Sequence, residues 1–144
     1  MKATWDLVLA WHIAACRFVS YVDSDITAEH FPYQHGDLAY KEVSVIPITQ
    51  TMSTPDVLGL IDGQHRRPAR LLHTLMWRIR NPVKKDDKLP FIVPIASEWN
   101  GHVTCIHGFG GFDDYSVIPI RALTLRSIDL HWTIGHAFAT VPKE

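Results

Sequence analysis

The residue types best suited to chemistry cluster in one run: Asp62, Gly63, Gln64, His65, Arg66 and Arg67, followed by Arg70, His73, Trp77 and Arg80. The apolar segment 57–61 before them is partly β-branched and reads as a buried strand. Gly63 can adopt positive φ and turn the chain sharply. Pro68, Leu71, Leu72, Leu75, Met76 and Ile79 then recur at helical spacing, which predicts a helix over 66–80. Proline is tolerated in its first turn, and Asn81-Pro82 ends it. A strand, a glycine turn and a helix start gather unbonded N–H groups and the positive end of a dipole. With arginines beside them, these groups make an anion site. Gly63, Gln64, His65, Arg66 and Arg67 are therefore the candidate phosphate-binding residues. The competing explanation is a plain turn flanked by solvated arginines. Arg66, Arg70, His73, Trp77 and Arg80 share the polar stripe of the expected helix, a candidate nucleic-acid contact.

A second set could do acid–base work. His107, Asp113, Asp114, Tyr115 and His136 lie on or between C-terminal segments that read as strands. A histidine beside a carboxylate in an apolar pocket could act as a general base near neutral pH. Such a site would suit an isomerase, cyclase or hydrolase of a small apolar molecule. The competing explanation for His107 and His136 is a pair of hydrogen-bonded core histidines. His30, His35 and Asp37 share a loop without any recognised ligand spacing, so no metal site is assigned.

Asp62-Gly63-Gln64-His65-Arg66 with Ala69 resembles the DGQHR signature of the ParB/sulfiredoxin-like superfamily. The resemblance covers residues 43–96, with 57–61 as the incoming strand and 89–95 as the strand after the helix. It implies a nucleotide- or phosphate-binding domain, with a nucleotide and Mg as the cofactor. The family's roles are in DNA segregation, DNA modification or ATP-dependent chemistry. Pro68 departs from the pattern, because it removes an N–H close to where the family's helix would meet phosphate. The segment after Glu98 has no counterpart in it.

Several elements must position these residues. Segment 5–22 is apolar on nearly all sides and alanine-rich, which predicts a long helix; a strand over 17–22 is the alternative. Residues 27–29 could open a short helix. Strands are expected over 42–49, 91–96, 103–109, 115–125 and 128–141. Asn100-Gly101 between apolar runs predicts a tight hairpin. Pro47, Pro94 and Pro119 each sit between aliphatic residues, and proline cannot donate to a ladder, so these positions should be edges, bulges or strand ends. In 128–141, Ile128, Leu130, Trp132, Ile134, His136 and Phe138 alternate onto one face, with His131 opposite. The expected fold is α+β: an N-terminal helix, a central amphipathic helix, and a curved, mostly antiparallel sheet with four C-terminal strands.

At 144 residues, one domain over 1–144 is expected. An apolar content of 47% with 20% charged residues excludes a disordered chain. The net charge of −1 conceals an asymmetry. Residues 62–88 carry eight Lys/Arg against three Asp, a balance of +5, whereas the remainder has six basic and twelve acidic residues, a balance of −6. The basic region suits a nucleotide, phosphate or nucleic-acid partner. Cys16 and Cys105 form no C-x-x-C; two buried thiols in a reducing compartment, or one disulfide, would fit. Segment 7–22 is interrupted by His12 and Arg17 and is shorter than the ~20 residues of a membrane span. The expectation is a cytoplasmic homo-oligomer without membrane contact. A non-enzymatic interaction subunit is the third functional reading.

Overall fold

The computed structural model describes residues 2–18, 20–82, 91–108 and 121–143. Three helices and eight strands follow in chain order: α1 (Lys2–Ala15), β1 (Tyr21–Val22), β2 (Ser44–Pro47), α2 (Thr54–Gly63), β3 (Arg66–Pro68), α3 (Leu71–Arg80), β4 (Phe91–Val93), β5 (Glu98–Trp99), β6 (His102–Gly108), β7 (Arg121–Ser127) and β8 (His136–Pro142). The strands form one mixed, unclosed sheet in the order β1-β7-β6-β4-β8-β2. β5 pairs with β6, and β3 pairs with β8. β1·β7 and β4·β8 are parallel; the other pairings are antiparallel. The architecture is α+β, as expected.

Side chains alternate across a strand, and two cores result. Ile92, Ile106, Leu123 and Ala139 point to one face, where α1 and α3 supply Trp5, Leu9, Leu71, Leu72 and Leu75. Their sequence neighbours Val93, Cys105 and Phe138 point to the other, where α2 supplies Val57 and Ile61 beside Trp132. On the outer side of α1, Leu7 and Trp11 are exposed. No helix among the described residues is long and apolar enough to cross a membrane.

Segment 57–61 is helical rather than a strand. Ser53 caps α2 in a reciprocal capping box with Asp56, and Pro55 sits in the first turn. Val57 and Ile61, four residues apart, bury one face. Ser53-x-x-Asp56 carried this signal in the sequence; β-branching at 57 and 61 masked it. The second helix also starts later than expected. Arg66–Pro68 is extended and pairs with residues 140–142 of β8, so Pro68 lies in a strand and α3 begins at Leu71. α1 stops at Ala15, short of the expected 22, and of the alternative strand over 17–22 only Tyr21–Val22 forms. Residues 27–29 make turns rather than a helix.

The hairpin at 99–102 forms as expected, with Asn100 and Gly101 at φ 51° and 74°. Pro47 and Pro94 stand at the end of β2 and just past β4. Pro119, Asp113, Asp114 and Tyr115 lie outside the described residues. The last strand is shorter than expected. Gly135 at φ 111° breaks it, and Leu130 and Ile134 are exposed while Trp132 is fully buried. Segment 128–135 instead folds against α2. Trp132 exchanges backbone hydrogen bonds with Met52, and its Nε1 donates to the Thr54 hydroxyl at 2.9 Å.

Candidate functional site: a cationic pocket between two helix ends

The turn at 63–67 does not have the geometry expected of it. Gly63 closes α2 and lacks positive φ; His65 takes the left-handed conformation, at φ 59°. The helix end facing this turn is a C-terminus, so the dipole presents its negative end, which disfavours an anion. Gln64 and His65 are exposed. Arg66 is turned inward: its Nε donates to Thr140 Oγ1 at 2.7 Å, and its Nη2 donates to the carbonyls of Glu42 and Thr140 at 3.2 Å. Arg67 belongs to β3. Lys143 forms an ion pair with Asp62 beside the turn. The start of α3 offers no replacement, because Leu71 N donates to the Ser97 hydroxyl and Leu71 to Leu75 are buried.

The expected polar stripe on the helix is mostly consumed internally. Arg70 Nε and Nη2 donate to the two carboxylate oxygens of buried Asp37 at 2.5 and 3.1 Å. Further donation from Arg70 reaches the carbonyls of Pro32 and Ala96. His73 is buried and donates from Nε2 to the carbonyls of Gly36 and Ala39 at 3.1 and 3.0 Å. Burial holds the His73 ring below the usual histidine range. These bonds tie loop 30–40 onto α3. At its outer edge Tyr40 stacks against Arg80, whose guanidinium carbon lies 4.8 Å from the ring centroid. Tyr40, Lys41, Glu42, Val43, Trp77 and Arg80 are among the residues lining a cleft of about 150 Å³ there.

His107 and His136 flank Phe91, with ring centroids 4.4 and 5.3 Å from it. His107 Nε2 shares a 2.8 Å hydrogen bond with the Thr124 hydroxyl. His136 Nδ1 donates to the Thr133 carbonyl at 3.1 Å. Burial lowers both pKa values, and each ring is neutral at neutral pH. Among the described residues neither ring has a carboxylate partner; Asp113 and Asp114, the carboxylates expected beside them, lie outside the described residues.

A different cluster forms where α1 and α3 end side by side. Arg17, Phe18, Arg78, Ile79, His107 and Arg121 line a pocket of about 250 Å³ beside Ala15, Cys16 and Pro82. Arg17 follows the last turn of α1 at φ 56°, and Arg121 opens β7. Arg78 is buried and donates to the Asn81 carbonyl at 3.0 Å. Among the described residues Arg121 Nε is buried without a partner, and none of those lining the pocket is a carboxylate. Burial pushes the Cys16 thiol up to about 12, so it is no nucleophile at neutral pH. Cys105 is likewise raised to about 12, and neither cysteine is in a disulfide.

No family model, curated protein or solved structure matches this chain. Nothing in the sequence around Arg17 or Arg121 marks either residue. The first follows an apolar helix and the second precedes an apolar strand, and only the parallel β1·β7 pairing brings them together.

Proposed function

We propose that this chain is a phosphate-binding domain whose anion site is the Arg17–Arg78–Arg121 pocket, not the 63–67 turn. Three arginines around one pocket, with no carboxylate among its described lining residues, carry the reading. The electrostatic balance favours the same ligand. Two helix C-termini meet here, each contributing roughly −0.5 charge, against three guanidiniums; about +2 remains. Arg78 already serves the end of α3 through Asn81, which leaves Arg17 and Arg121 for the ligand. The ligand class agrees with the one the DGQHR resemblance implies, and a nucleotide phosphate with Mg is one form of it.

Thermal unfolding in phosphate against chloride at matched ionic strength tests the proposal. Orthophosphate at about 100 times its Kd should stabilise the fold by roughly 2.7 kcal/mol. Arg121→Gln and Arg17→Asn should each remove most of that gain; asparagine tolerates the left-handed backbone at 17. Equal stabilisation by chloride, or a gain unchanged in both variants, refutes this site.

One observation favours a second reading, acid–base catalysis on a phosphorylated substrate. His107 lines the same pocket, and its neutral ring can accept a proton.

A further inference from the structure

The pocket and the Tyr40 cleft lie on two sides of the same helix end. Arg78, Ile79 and Pro82 line one; Trp77, Arg80 and Asn81 line the other. We infer that the ligand is a single-stranded nucleic acid, with a base stacked on the Tyr40–Arg80 platform and its backbone crossing the end of α3 to the Arg17–Arg121 pocket. The inference rests on the phosphate-binding reading above.

Three observations carry it. The platform is exposed yet built. Tyr40 is 66% exposed, but its loop is fixed from below by the Asp37–Arg70 pair and by the two bonds from His73. An aromatic ring held outside the core by buried polar anchors is pre-organised to meet a flat partner. Arg80 already covers part of the ring in a cation–π arrangement; a base can join that stack, since every base has a π-face. The cations are also spread out. Arg17 and Arg121 line one side and Arg80 the other, spread along the helix end rather than gathered around one phosphate group, and they suit a polyanion. Glu42 is the one carboxylate among the described residues lining the cleft. Lastly, the two sites pose different demands, stacking and charge, and a single strand with unstacked bases meets both. A duplex offers its phosphates but hides its base faces.

Fluorescence anisotropy with a labelled single-stranded ten-nucleotide DNA, on the full chain, tests the inference. Binding should weaken with salt at a log–log slope near −0.7 per phosphate neutralised, so about −1.4 to −2.1 for two to three contacts. Tyr40→Ala should weaken strand binding by about tenfold or more, the effect of losing one stacked base. The same variant should leave the phosphate-induced thermal shift unchanged, because Tyr40 does not line the Arg17–Arg121 pocket. Arg121→Gln should reduce both. An abasic strand bound as tightly as a base-bearing one, or a duplex bound more tightly than the single strand, overturns the inference. So does Tyr40→Ala with wild-type strand affinity. If phosphate stabilises the protein but no strand binds, the inference falls and the phosphate site stands; if neither acts, both fall.

Discussion

Replacing Asp37 with alanine tests how the loop carrying Tyr40 is held. The Asp37 carboxylate is 1% exposed and accepts three hydrogen bonds: from Arg70 Nε at 2.5 Å, from Arg70 Nη2 at 3.1 Å and from Gln34 N at 2.8 Å. Removing one partner of a buried pair typically costs about 3–5 kcal/mol, because the remaining charge stays buried and uncompensated. Here Arg70 is 16% exposed and keeps the Pro32 and Ala96 carbonyls. The loss should therefore fall at the low end, about 3 kcal/mol. Urea unfolding followed by circular dichroism measures it, with an unchanged slope showing that the compactness of the two states is preserved. Arg70→Met retains the apolar stem and removes the charge. The double variant should lose much less than the two single variants together, since the second change removes the orphaned charge left by the first. A loss below about 1 kcal/mol for Asp37→Ala, or additive single effects, would mean that the pair behaves like a surface ion pair and does not anchor the loop.

Three other outcomes can be checked. Leu75 is fully buried among α1 and the sheet, so Leu75→Ala should cost about 2–5 kcal/mol in urea unfolding; a change under ~0.5 kcal/mol, the size of an ordinary surface effect, would place it outside the core. Gly63 is helical, with nothing within 4 Å of an added Cβ, so Gly63→Ala should stabilise by about 0.5–1 kcal/mol, and destabilisation would restore a strained turn there. His73, His107 and His136 all have folded pKa values lowered, chiefly by burial. The unfolded chain then binds more protons below about pH 6.5. Stability should be complete above that pH and fall as acidification proceeds toward the lower folded values; an equal urea midpoint at pH 7.5 and 5.5 would contradict this.

Local pattern and composition determined a good part of this protein. The leucine stripe fixed the buried face of α3, and Asn81-Pro82 fixed its end. Asn100-Gly101 specified the hairpin, because few residues accept two successive positive φ values. Pro47 and Pro94 marked strand ends, because proline cannot donate to a ladder. These features depend on neighbours within a few residues.

Tertiary structure decided the rest. The five residues 57–61 fit either period. The Ser53–Asp56 cap, and the sheet face that receives Val57 and Ile61, made them a helix. Arg66–Pro68 has helix-compatible residues but pairs with β8, whose free edge beyond β4 needed backbone partners. That pairing turned Arg66 inward and left the turn without the helix N-terminus that the motif suggested. Arg17 and Arg121 are 104 positions apart, so no local pattern could show that they share a pocket. Charge and shape at that pocket come from the meeting of two helix ends with a sheet edge, and only the folded chain brings those parts together.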